Sequence, residues 1–442
     1  MDLSVTLIGV EPNNVSAQIN RALPPKIVGL LKRIGRLADK RGFKVFVVGG
    51  FVRDLLLGIR NLDVDIVVER DAIEFARLIA KEARGALVCH SRFGTAALLL
   101  ADGLKVDFAT ARTESYKAPA ALPDVEFSSI KEDLFRRDFT INAMAVDINK
   151  MDFGMLLDFY NGLADLSAKR IRVLHPLSFV DDPTRIFRAV RFEQRYGFKI
   201  EPHTRRLIEA AAGLGMLGRT QRQRIRNEIV LLLKERSPMR CVARMAELHE
   251  LRFLHPKIKF TKAVKALFSS IDKTYSWYKL SLPKKRELDV WLVYLSALLE
   301  PLTKEEAKGF IKDFAFCNED GQRILSIKEK GDAAMLRLRK ENPPSAAYKL
   351  LEPMSYEAIL YLMAKERNKT ALRHISDFFA KYSAVHLAIT GLDIKAAGLA
   401  PGPRYKEILA KALYAKIDGK LRTKADELRY ALKIAQGGID KS

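Results

Sequence analysis

The stretch Val47-Val48-Gly49-Gly50-Phe51-Val52-Arg53-Asp54, with the Asp63-Val64-Asp65 that follows it, constrains this 442-residue chain more than any other. The apolar run from Val45 to Val48 reads as a buried strand. The glycine pair permits a tight turn, and Phe51 to Leu57 reads as a helix carrying Arg53 in its first turn. Backbone N–H groups at a helix start attract phosphate, so Gly49 and Gly50, with Arg53 and the adjoining Asp54, form a candidate seat for phosphates. Val64 to Val68 reads as the next strand, and the two-residue period puts Asp63 and Asp65 on one face. Neighbouring carboxylates repel unless a cation lies between them. That favours a divalent metal, magnesium where phosphate oxygens complete the shell. A lone Gly-Gly turn is usually only a turn, and a lone Asp-x-Asp usually a solvated loop edge. Here the two occur in order on one strand-turn-helix-strand frame.

That combination resembles the nucleotidyltransferase superfamily that includes DNA polymerase β. The resemblance implies a triphosphate held at the glycine turn and two magnesium ions held by Asp63 and Asp65. Further on, Ala96 to Leu100 and Leu104 to Ala109 read as a hairpin about Asp102-Gly103. Asp107 stands in its second arm, pointing opposite to Val106 and Phe108. It is either a solvated outer residue or a third catalytic carboxylate beside the pair.

With Lys plus Arg at 76 against 53 acids, the net charge is +23. A chain this basic meets a polyanion, and nucleic acid is the commonest one. No apolar run reaches the roughly 18 residues of a membrane span, so no membrane partner is expected. Cys89, Cys241 and Cys317 are too few and too scattered for a disulfide framework or a zinc knuckle. Without a signal peptide at Met1-Asp2-Leu3-Ser4, the expected compartment is the reducing cytoplasm.

Arg136-Arg137-Asp138-Phe139-Thr140-Ile141-Asn142-Ala143-Met144-Ala145 narrows the resemblance to class II tRNA nucleotidyltransferases, the CCA-adding enzymes, and the related bacterial poly(A) polymerases. It implies a nucleotide contact at Arg137, with Asp138 and Asn142 near the sugar. The bland alternative is a helix cap at Asp138 followed by packing. Asp158 to Asp165 matches the family's hinge motif, in which Gly162 supplies the turn and the acids are hydrogen-bonded to it.

In Asp181-Asp182-Pro183-Thr184-Arg185, Pro183 suits a first helical turn and Asp182 its cap. Arg185, Arg188, Arg191 and Arg195 then share one stripe, with Ile186 and Val190 towards a core. The stripe is a solvated face or an RNA and nucleotide contact. The segment resembles the family's base-selecting motif, with Asp181 where the family often has Glu. Asp182 as acceptor beside Arg185 as donor would suit cytosine or adenine, each with an amino donor next to a ring-nitrogen acceptor. A full cap and a base reader compete for the same Asp182 carboxylate. Near Gly218 to Glu228, Thr220 is a candidate cap and Arg224 a candidate partner of Glu228.

The expected architecture is an α/β head with a mixed sheet, polymerase β-like, followed by all-α neck, body and tail. Residues 1–22 read as an extension or linker, 23–150 as the head, 151–235 as the neck, 236–385 as the body and 386–442 as a tail that binds tRNA. A helix over Pro25 to Lys40 opens the head, a second follows Asp71, and Arg112 to Ile130 reads as a loop. The implied reaction adds CCA, or part of it such as the terminal A, to tRNA from CTP and ATP. The alternatives are a poly(A) polymerase and a non-catalytic tRNA-binding protein.

Overall fold

The computed structural model describes residues 14–91, 94–115, 120, 124–249, 251–282 and 286–436. They divide into two compact units, Met1–His249 and Glu250–Ser442. The strand expected within Leu3 to Val10, and Pro119 and Pro123, lie outside the described residues.

In the first unit, α1 (Ser16–Ala22) and α2 (Pro25–Arg41) precede β1 (Lys44–Val48) and α3 (Gly50–Leu56). β2 (Val64–Glu69) and α4 (Ala72–Ala83) follow. Asp71 starts α4 as expected, its carboxylate accepting from the amides of Ile73 and Glu74 at 2.8 and 3.1 Å. Next come β3 (Ala86–His90), β4 (Thr95–Leu99), β5 (Lys105–Thr110), β6 (Arg112–Ser115), β7 (Asp124–Phe127), α5 (Ile130–Phe135), β8 (Ala145–Asp147) and β9 (Leu156–Leu157). The main sheet has seven strands in the order β3-β4-β5-β2-β1-β8-β9. It is mixed: β2 and β5 are parallel, with Asp65 opposite Asp107, whereas β1 is antiparallel to β2 and β8.

Apolar residues on alternate positions decide which way each strand faces. Phe46, Val48 and Val67 pack with Ile130, Leu134 and Ala145. Phe75 of α4 meets Phe43 and Phe108 at ring separations of 5.0 and 6.1 Å. On α2, Ile27, Leu30, Leu31 and Ile34 are buried.

Two expectations need correction here. Residues 14–22 are not an extension: Val15 and Ile19 are fully buried, and the Val15 amide donates to Gly154 O at 2.8 Å. The stretch from Arg112 is not wholly a loop, because β6 and β7 pair antiparallel, Arg112 opposite Phe127. Four residues per strand are too few for a period to be read from sequence.

The unit closes with α6 (Gly162–Ser167), α7 (Ser178–Asp181), α8 (Arg185–Tyr196), α9 (Pro202–Gly213), α10 (Met216–Arg219), α11 (Arg222–Leu233) and α12 (Pro238–His249). The division into units falls after His249, and within the first unit Thr140 donates to Asp165 at 2.8 Å and Arg188 to Asp138 at 2.7 Å, tying α6 and α8 to the segment after α5. At the hinge motif Asp158 accepts from the amides of Gly162 and Leu163 at 2.7 and 2.9 Å, as expected of a hydrogen-bonded acid. The turn itself comes from Asn161, with φ +60°, and not from Gly162. Gly162 is needed for closeness instead: a Cβ there would lie 2.3 Å from Thr140 O.

The second unit is helical throughout its described residues. Thr303 and Glu306 form a capping box on the helix Lys304–Asp313, and the apolar residues Val290–Leu298 form a buried helix. The expected tail is continuous with the body, as Ser345 donates to Asp418 from its amide and hydroxyl at 2.8 and 2.9 Å. Among the described residues, no helix is long and apolar enough to cross a membrane.

Candidate active site

Asp65 is the second residue of β2, and its Cα neighbour on β5 is Asp107. Asp63 precedes it by two residues, its amide taken by Asn61 Oδ1 at 2.9 Å. The Asp65 carboxyl is held above the usual carboxylate range. Loss of water against the surrounding protein is the first cause and the charge of Asp107 the second; Arg137 opposes the rise, and Asp63 adds to it. Asp63 and Asp65 nonetheless keep exposed faces, so a ligand can reach them. Lys105 Nζ holds Asp107 Oδ2 at 2.7 Å.

A divalent cation suits this donor set. The ligands are hard oxygens, the crowding of like charge at Asp65 is only partly offset by Arg137 and Lys105, and positions remain for phosphate oxygens. Among the described residues, no three His, Cys, Asp or Glu side chains form a ready metal cage. Asp107 stands opposite Asp65 on the neighbouring strand, with Lys105 paired to its carboxylate.

Gly49 has φ +67° and ψ −126°, a conformation that L side chains avoid. A Cβ there would lie 2.6 Å from Arg137 Nη1. The cation lying over the turn is thus Arg137. Its Nη2 donates to the buried Asp133 at 2.9 Å, and its Nε is buried without a partner.

Arg53 differs from expectation. It is 5% exposed, and its fork is filled: Nε donates to Asp54 Oδ1 at 2.9 Å and Nη1 to Asn142 Oδ1 at 2.6 Å. Its guanidinium also lies 5.2 Å from the Phe192 ring and 4.8 Å from that of Tyr196. Arg53 and Asp54 therefore brace the turn from beneath, with Tyr196 donating to Asp54 Oδ1 at 3.1 Å.

The bracing continues into α8. Asn142 donates to Asp138 Oδ1 at 2.9 Å, and Arg188 Nε donates to Asp138 Oδ2 at 2.7 Å. Burial works against the Asp138 charge, yet Arg188 and the Asn142 hydrogen bond hold its carboxyl below the usual range. Nor is the arginine stripe a free cationic face. Arg185 donates to Ser178 Oγ and Arg136 O, both at 2.7 Å, Arg191 to Glu228 and Glu235, and Arg195 to Glu235. Ile186 and Val190 are fully buried on the other side.

Asp182 and Arg185 do not pair. Asp182 Oδ1 accepts from the Thr184 amide at 3.0 Å and is ion-paired with Arg224 Nη2 at 2.8 Å. The helix begins at Arg185, so Asp182 shapes the turn before it without being its cap. Arg224 does not reach Glu228, which binds Arg191 at 3.0 Å. Thr220 does not start α11, whose N-cap is Gln221; it is the C-cap of α10, its hydroxyl donating to Met216 O at 3.1 Å. Sequence reasoning missed Asp133, although its spacing of three and four from Arg136 and Arg137 is the ion-pair spacing of a helix. Tyr196 carried no such local signal, and the four-residue spacing of Arg224 to Glu228 pointed to a partner that Arg191 takes instead.

A family model described as the poly A polymerase head domain matches residues 45–172. A second, described as a probable RNA- and SrmB-binding site of polymerase A, matches residues 197–261. An A-adding tRNA nucleotidyltransferase of Geobacter sulfurreducens is 40% identical over 98% of this chain, which spans 50% of that protein's length. One from Halalkalibacterium halodurans is 30% identical over 95% of both chains. The solved Thermotoga maritima CCA-adding enzyme, complexed with a CCA tRNA, superposes with a TM-score of 0.72 at 36% identity, covering 96% of this chain and 98% of that one. Matched along almost the full length of the Halalkalibacterium protein, the chain belongs to the family of tRNA nucleotidyltransferases and poly(A) polymerases.

Proposed function

We propose that this chain transfers nucleotides from ATP or CTP to the 3′ end of tRNA, completing all or part of the CCA sequence and releasing pyrophosphate, in a reducing cytoplasm. One observation supports the reading: Arg137 lies against Gly49 and its charge reaches Asp65, which makes the glycine turn and the acid pair neighbours. Arg137 orients the triphosphate with charge-assisted hydrogen bonds, its unpartnered Nε adding a donor. Asp63 and Asp65 would hold magnesium, up to two ions. When bound, the metal acidifies the terminal 3′-hydroxyl and neutralises charge on the departing pyrophosphate. Asp138 and Asn142 fix the floor beneath the sugar, and Asp182 supplies the acceptor for an amino-bearing base.

The test uses purified chain with three tRNAs: lacking the whole CCA end, ending after the first C, and ending after CC. Each is incubated with one labelled nucleotide at a time. Incorporation of ATP or CTP that stops at the completed CCA end is expected. A tail growing beyond it from ATP alone indicates a poly(A) polymerase, and no incorporation of any nucleotide rejects transfer.

A further inference from the structure

Asp182 Oδ1 accepts two hydrogen bonds, from the Thr184 amide at 3.0 Å and the Thr184 hydroxyl at 2.5 Å, and is ion-paired with Arg224 Nη2 at 2.8 Å. Oδ2 accepts none among the described residues, and the side chain is 19% exposed. One carboxylate oxygen is thus fixed by the protein and the other is left to a ligand. Arg224 Nη1 is buried and has no partner, although it belongs to the same guanidinium that holds Asp182. Glu228, one turn along α11, is taken by Arg191, which leaves Arg224 to Asp182. The arginine expected to stand beside Asp182 is turned away, with both terminal nitrogens of Arg185 occupied by Ser178 and Arg136 O.

Resting on the transferase reading above, we infer that Arg224 is a positioning residue for base selection: it clamps Asp182 Oδ1 so that Oδ2 faces the incoming base as an acceptor. A carboxylate so held rewards an exocyclic amino group, as on adenine and cytosine. It leaves the carbonyl oxygens of guanine and uracil facing an acceptor, with neither side satisfied. Released from Arg224, Asp182 keeps only its Thr184 bonds, which are local to its own turn. Its outer oxygen can then swing away, and discrimination falls more than binding of the triphosphate, which Arg137 supplies.

The experiment measures kcat/KM of the full chain for ATP against GTP on tRNA ending in CC, and for CTP against UTP on tRNA lacking the CCA end. Wild type, Arg224→Met and Arg224→Lys are compared, each checked for folding by circular dichroism. Arg224→Met keeps bulk but no donor, and the ratio of correct to incorrect nucleotide is expected to fall about tenfold or more. Arg224→Lys keeps the charge at one point and loses the fork; its ratio is expected to fall less, by about threefold. A ratio within about twofold of wild type in either folded variant overturns the inference, whatever happens to the overall rate, since a purely structural arginine lowers all four nucleotides together. A wild-type chain that incorporates no nucleotide at all defeats the transferase reading first and this inference with it.

Discussion

Asp65→Asn is expected to lower nucleotide incorporation by about 10³-fold or more while leaving the melting temperature within a degree or two of wild type. The two halves of that result have separate causes. Asp65 is exposed and crowded by Asp107 and Asp63, with Arg137 and Lys105 opposing them. Removing its charge relieves repulsion and breaks no side-chain hydrogen bond among the described residues, so the fold loses little. The same crowding makes the site hungry for a divalent cation, and an amide cannot supply the charge that gathers one. Activity near wild type in a folded Asp65→Asn protein would remove the acid pair from the chemistry. A large drop in melting temperature would instead mean that Asp65 is a structural acid.

Arg53→Ala, by contrast, is expected to unfold or nearly unfold the first unit. Arg53 and Asp54 have side chains only 6% and 8% exposed, and removing one partner leaves a buried, uncompensated carboxylate. Breaking such a pair costs about 3–5 kcal/mol, a large share of a domain's stability. Asn142 loses its Arg53 donor as well, and the Phe192 and Tyr196 rings lose the cation packed against them. The contrast is Arg137→Ala. That side chain lies over the glycine turn with one nitrogen unpartnered, so its loss is expected to raise KM for ATP about tenfold with only a modest change in melting temperature. Parallel thermal melts and initial rates on the two variants check both. If Arg53→Ala melts like wild type and only KM rises, the two arginines have been assigned the wrong way round.

What the sequence revealed and what it hid follow from how far each interaction reaches. The strand, glycine turn, helix and acid pair lie within about twenty residues, where a two-residue or helical period and a turn signal are readable directly. Asp71 likewise announces α4, because a cap acts on amides two and three residues away. The fate of the arginine stripe could not be read in this way. Arg188 meets Asp138 fifty positions earlier, and Arg191 meets Glu228 and Glu235 about forty positions later. Helical spacing tells which side chains share a face and says nothing of what covers it. Arg53 was misread for the same reason: its burial depends on Phe192 and Tyr196, which come from a helix far along the chain. The Asp182 carboxylate was legible as a polar group in conflict between two tasks. The fold resolves the conflict by dividing its oxygens, one to the turn and Arg224, the other open.

The most direct test is a crystal of the chain soaked with ATP and manganese, which scatters anomalously and takes magnesium's oxygen ligands. An anomalous peak bridging Asp63 and Asp65, with the triphosphate lying along Gly49 and Gly50 beneath Arg137, is the predicted result. A nucleotide seated elsewhere, with both carboxylates turned to bulk water and no metal between them, would contradict it.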